Sequence, residues 1–111
     1  MKFSESLKRN GDFRKVYAGG KSYANRYLVL YVLNNGTNGN RLGISVSKKV
    51  GNSVVRHRIT RLIRESYRIR EDLFNSGLDM VVIARKSAKD KTCQEIESAL
   101  LHLGKLHGIL K

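Results

Sequence analysis

Residues 41–70 read RLGISVSKKVGNSVVRHRITRLIRESYRIR, and the fold turns on how this stretch is parsed. Leu42, Ile44 and Val46 alternate with Gly43, Ser45 and Ser47, the period-two pattern of a half-buried strand over residues 42–47. Lys48 and Lys49 lead into Gly51-Asn52-Ser53, a turn that supplies a helix cap. From Ser53 to about Arg70 the period becomes helical. At ~100° per residue, Val55, Ile59, Leu62, Ile63, Ser66 and Ile69 gather into one arc. His57, Arg61, Arg64 and Arg68 fall on the opposite side, with Arg56 and Arg58 at its edges.

The same helix carries the strongest chemical signal. From Lys48 to Arg70 there are eight Lys or Arg residues, six of them arginine, and one carboxylate, Glu65. A solvated helix face usually mixes its signs. Like charges at i, i+3 and i+4 destabilise an isolated helix by a few tenths of a kcal/mol per pair, and the guanidinium fork matches phosphate. A face built against its own stability implies an anionic partner. The whole chain agrees: 22 Lys and Arg against 9 Asp and Glu give +13 over 111 residues. That excess predicts nucleic acid or an anionic membrane surface as partner.

Outward from this stretch the elements are short. Residues 27–33 are apolar on both faces, with Tyr27, Val29, Tyr31 and Leu33 on one and Leu28, Leu30 and Val32 on the other, and read as a strand. The Asn- and Gly-rich residues 34–40 read as a loop. Asn10 is placed to cap a helix through Ala18, with Phe13, Val16 and Tyr17 on one side and Gly19-Gly20 as a left-handed stop. Residues 79–85 hold another strand. Thr92 and Glu95 fit a capping box, opening a helix with Ile96, Ala99, Leu100 and Leu103 on one side that ends near Gly104 or Gly108. The order is α-β-β-α-β-α, with room for an extra strand around residues 21–25, and predicts an α+β sandwich with helices over a small sheet. Length predicts one domain over residues 1–111.

Several function classes are disfavoured. No run of ~18 apolar residues offers a membrane span, and residues 1–5 lack the apolar stretch of a signal peptide. Cys93, the sole cysteine, forms neither an internal disulfide nor a cysteine-based zinc site. A reducing cytosol is the expected compartment. With no proline, no rigid Pro-rich linker divides the chain. The carboxylates form no recognisable metal cluster, His57, His102 and His107 do not align, and residues 48–53 lack the glycine spacing of a phosphate-binding loop. No catalytic residue and no metal ligand is assigned. A nucleic-acid binder is favoured over an enzyme acting alone.

Aromatics supply a second clue. Phe13 and Tyr17 share a helix face at i and i+4, and Tyr31 lies on a two-faced apolar strand. Burial under helices is one reading. The other is a groove where unpaired bases stack, with Arg9, Lys15 and Arg26 supplying nearby charge.

Residues 41–65 closely resemble the signature of the bacterial ribonuclease P protein subunits. Residues 7–13, 22–26 and 79–85 extend the likeness over nearly the whole chain. The resemblance implies an α-β-β-β-α-β-α two-layer sandwich with a left-handed βαβ crossover, similar to domain 2 of ribosomal protein S5. It implies a cytoplasmic protein that binds a catalytic RNA, which itself removes the 5′ leader of precursor tRNA using Mg2+ held mainly by that RNA. Lys48, Lys49, Asn52, Arg56, His57, Arg58, Arg61, Arg64 and Arg68 would then contact the catalytic RNA. Arg9, Phe13, Tyr17, Arg26 and Tyr31 would hold the leader. Two positions depart from the family's pattern: His57 stands where asparagine is common, and Thr60 where a basic residue is usual. Imidazole still donates a hydrogen bond there. The alternatives are a ribosomal-type structural RNA binder and a protein-only nuclease.

Overall fold

The computed structural model describes residues 4–111. In chain order it contains β1 (Ser4–Ser6), α1 (Asn10–Gly19), β2 (Lys21–Ala24), β3 (Leu28–Asn34), β4 (Asn40–Ser45), α2 (Ser53–Arg70), β5 (Leu78–Ala84) and α3 (Cys93–His107). Short 3-10 turns at Glu71–Leu73 and Lys86–Ala88 precede β5 and α3. The strands form one mixed sheet in the order β1-β4-β5-β3-β2. β4 and β5 are parallel neighbours joined through α2, the β-α-β unit that the resemblance implies. β3 pairs antiparallel with both β5 and β2.

Strand alternation builds two different faces. Leu28, Leu30, Leu42, Met80 and Val82 point to one side and pack with Ile59, Ile63 and Tyr67 of α2 and Ile96, Leu100 and Leu103 of α3. These residues are almost fully buried, and each large apolar side chain placed there contributes about 1.5–3 kcal/mol. On the other side a smaller cluster of Leu7, Val16 and Val81 is flanked by half-buried Phe13, Tyr31, Leu33 and Ile83. The two-sided apolar strand is therefore covered unequally: Leu28 and Leu30 are fully buried under the thick helical layer, while Val29, Tyr31 and Leu33 are half-buried on the face that the lone helix covers.

Four local expectations change. β1 was not foreseen; three residues of Ser-Glu-Ser composition carry no strand signal, and parallel pairing of Ser4–Ser6 with Asn40–Leu42 makes the strand. Arg9, not Asn10, occupies the N-cap of α1, without a side-chain cap bond. Gly20 ends α1 in extended rather than left-handed backbone. Glycine is required there for a close approach, since a Cβ would lie 2.6 Å from the Val16 carbonyl oxygen and 2.8 Å from that of Val32. In α2 the buried arc is Ile59, Ile63, Ser66 and Tyr67, whereas Ile69 is 44% exposed. Tyr67 takes the seat because its ring packs on Phe74 with centroids 5.1 Å apart while its hydroxyl meets the Ser4 hydroxyl at 2.7 Å.

The remaining helix ends follow the sequence. Asn52 caps α2 by accepting from the Val55 amide at 3.0 Å. Thr92 and Glu95 form the reciprocal capping box of α3, and Gly108 closes that helix with a left-handed φ of 69°. Among the described residues no helix is long and apolar enough to cross a membrane.

Candidate nucleic-acid interface

Two surfaces carry the candidate residues, one on each side of the sheet. The first is the outer face of α2 and the loop before it. Val50 is buried and anchors that loop, which leaves Lys48 and Lys49 exposed at its tip. Arg61, Arg64 and His57 project from the solvent side of α2. No ion pair holds any of these five among the described residues. An exposed Val54 shares their face.

Of the four other candidates on this side, Arg58, Arg68 and Asn52 already have structural duties. Arg58 donates from Nη1 to the Lys89 carbonyl at 2.9 Å and from Nη2 to that of Lys91 at 3.2 Å, tying α2 to the segment before α3. Arg68 forks onto Glu65 at 2.9 and 2.5 Å. That pair holds the Glu65 carboxyl below the usual carboxylate range, chiefly through the arginine hydrogen bonds. Asn52 spends its carbonyl on the helix cap. Arg56 is half-buried, and its Nε is buried without a hydrogen-bond partner. Thr60, the position that departs from the family, turns its hydroxyl back to the Arg56 carbonyl at 2.9 Å.

The second surface lies across the sheet, where α1 crosses the strands. Gly43, Val81 and Tyr31 form one row on β4, β5 and β3. Phe13 sits over Gly43, so closely that a Cβ there would fall 2.6 Å from its ring. Val16 is fully buried in the cluster with Val81. Tyr17 meets Tyr31 edge-on with centroids 5.0 Å apart, and Phe13 and Tyr17 are 6.4 Å apart. The three rings thus form one chain along the α1 wall, with Tyr17 37% exposed. The next row, Ser45, Ile83, Val29 and Ala24, has no fully buried member. Rings along a wall beside an open apolar floor make a groove in which planar, unpaired bases can stack.

Not every predicted groove residue joins the rings. Arg9 caps the start of α1 and is exposed. Arg26 lies in the β2–β3 turn, outside β3 and away from the row that holds Tyr31. It lines a hollow with Tyr27, Gln94 and His102 instead.

Gly43 and Arg41 were missed as groove residues. A glycine inside an apolar strand marks close approach of a neighbour, and that signal was present. Arg41 had none, because its partner Asp79 is 38 positions away: Nε and Nη2 of Arg41 donate to the Asp79 carboxylate at 2.9 and 2.6 Å. No three His, Cys, Asp or Glu side chains converge as a metal site among the described residues.

Over residues 1–107 the sequence matches the family model Ribonuclease P. The chain belongs to the Ribonuclease P family. It is 64% identical over 107 residues to the ribonuclease P protein component of Lachnoclostridium phytofermentans, covering 96% of this chain and 92% of that one. It is 53% identical to the component of Alkaliphilus metalliredigens, covering 93% of each. Among solved structures, the Staphylococcus aureus RNase P protein superimposes with a TM-score of 0.87 at 42% identity, covering 96% of this chain and 97% of that one. The Thermotoga maritima RNase P protein gives 0.82 at 33% identity, covering 89% and 94%. Family members are protein components of an endoribonuclease, which makes this chain a holoenzyme subunit with α+β architecture.

Proposed function

We propose that this protein is the cytoplasmic RNA-binding subunit of ribonuclease P, gripping the catalytic RNA with the α2 face and the 5′ leader of precursor tRNA with the α1 groove. Phosphodiester hydrolysis, and the Mg2+ it uses, are assigned to the RNA. The observation that carries the reading is the unpaired, one-signed set of Arg61 and Arg64, on a helix whose opposite side is locked into the core, with Lys48 and Lys49 on the loop before it. Such a set is rigid, electropositive and free to meet phosphates. The groove adds aromatic rings that every base can stack on, which suits a leader of variable sequence. The loop of residues 46–52 runs from the groove floor strand β4 to α2, so Lys48 and Lys49 stand where the two surfaces meet.

Salt dependence tests the α2 grip. Each phosphate contact contributes a slope of about −0.7 to −0.9 on a log–log plot of affinity against salt. The variant carrying Arg61→Ala and Arg64→Ala should keep its melting temperature and bind the catalytic RNA with a slope shallower by about 1.4 to 1.8. An unchanged slope for that folded variant contradicts the reading. Purified protein with magnesium should leave precursor tRNA uncut; cleavage would favour a protein nuclease.

A further inference from the structure

α1 is held to the sheet by Val16, by the Phe13 ring over Gly43, and by one ion pair. That pair is made by Arg41 of β4. Its guanidinium forks onto Asp79 of β5, which is nearly buried and also accepts from the Asn35 side-chain amide at 2.9 Å. The remaining nitrogen, Nη1, reaches the Asp12 carboxylate of α1 at 3.6 Å. Burial alone would raise the Asp79 carboxyl, but the Arg41 and Asn35 hydrogen bonds more than offset it and leave it below the usual range. The fork is therefore a fixed charged post on the sheet, and Asp12 is the point where α1 is tied to it.

The post stands behind the wall of the groove. Arg41, Asp79 and Leu33 form the row on one side of Gly43, Val81 and Tyr31, while the open floor of Ser45, Ile83 and Val29 is the row on the other. Two residues along a strand separate successive rows, about 6.6 Å. Along α1, Asp12 at one end meets Arg41 and Gly19 at the other meets Leu33, both in the rear row. Phe13 and Tyr17 meet the middle row.

We propose that Arg41 is a positioning residue for the leader site, latching α1 through Asp12 so that Phe13 and Tyr17 stand at the spacing from β3 that an inserted base requires. This rests on the groove being the leader site. The latch differs from a purely electrostatic role in sign. If Arg41 served only to neutralise two carboxylates beside a polyanion, removing the Asp12 charge would tighten leader binding. A latch predicts the opposite.

The test uses the holoenzyme reconstituted with the catalytic RNA and measures affinity for precursor tRNA and for mature tRNA, which lacks the leader. Asp12→Asn leaves the Arg41–Asp79 fork intact and should fold. It should lower the precursor-to-mature affinity ratio by about two- to fivefold, the scale of one exposed ion pair, with an unchanged melting temperature. Asp12→Glu, which keeps the charged arm, should restore the ratio. An unchanged or raised ratio in Asp12→Asn overturns the latch, as does an equal loss for both tRNAs with a lowered melting temperature. Tyr17→Ala in the same assay separates the two claims. If Tyr17→Ala lowers the ratio and Asp12→Asn does not, the groove stands and the latch falls. If Tyr17→Ala leaves the ratio unchanged, the groove reading fails and the latch with it.

Discussion

α2 and α1 lie on opposite faces of one sheet and are held to it in opposite ways. α2 drives Ile59, Ile63 and Tyr67 into a core it shares with α3, and all three are fully buried. α1 buries only Val16 completely. The deeply seated helix presents charge outward, with Arg61 and Arg64 exposed and held by no ion pair among the described residues. The lightly seated helix presents rings along a groove, the slot proposed for a leader base. Seating depth thus matches the task proposed for each helix: a rigid grip needs a deep core, and an adaptable slot needs a shallow one.

The comparison can be broken first at its foundation. Ile63→Ala removes a fully buried side chain beneath α2 and should cost about 2–5 kcal/mol. Thermal unfolding should show that loss, and both tRNA affinities should fall together as folded protein is depleted. A loss confined to one of the two tRNAs would mean that the core does not support the two surfaces jointly.

Gly43→Ala sharpens the contrast on the other face. The added methyl would lie 2.6–2.7 Å from the Phe13 ring and 3.1 Å from Leu7, so the ring must shift. Overpacking of this kind costs about 1–3 kcal/mol. Binding of the catalytic RNA by the folded variant should keep its salt slope, because the α2 face is untouched. A changed slope would mean that the two faces are not separable.

How far these regions were legible in the sequence follows from how local their causes are. The boundaries of α2, the Asn52 cap, the Thr92–Glu95 box and the two-faced strand read at residues 27–33 all depend on residues within a few positions of one another. β1 was invisible because pairing with β4, not its own composition, makes it a strand. The burial of Tyr67 over Ile69 depends on Ser4 and Phe74, and the Arg41–Asp79 fork on two strands meeting in register. The arginine face was readable as a one-signed arc, but which arginines remain free was not. Arg58 and Arg68 proved to be engaged, the former by carbonyls more than thirty residues away. The aromatic trio was only partly readable: i, i+4 spacing joined Phe13 to Tyr17 and the tyrosine-bearing strand offered Tyr31, while the leader as occupant came from the resemblance.

The smallest expected effect is a pH dependence at the end of α3. His107 meets the Leu30 carbonyl through Nε2 at 2.7 Å and stacks edge-on with Tyr23 at 4.7 Å. Burial, joined by the nearby Lys21 charge, pulls its imidazole below the ordinary value, against the raising effect of the Leu30 carbonyl. A histidine depressed in the folded state binds fewer protons there than when unfolded. Stability should therefore be full above about pH 6.5 and decline as pH falls through and below it. His107→Gln should flatten the melting temperature between about pH 7 and 5 relative to the unsubstituted protein, while the α2 salt slope stays the same.

The central claim is that the groove serves the leader and not the fold. Its most direct test is the affinity of holoenzyme carrying Tyr17→Ala for precursor and for mature tRNA, measured beside the melting temperature. Loss of one stacked base costs about 1–3 kcal/mol, so precursor binding should weaken by roughly 5- to 150-fold while mature tRNA binding and melting temperature hold. Equal losses for both tRNAs, with a lowered melting temperature, would return Tyr17 to the core and contradict the account.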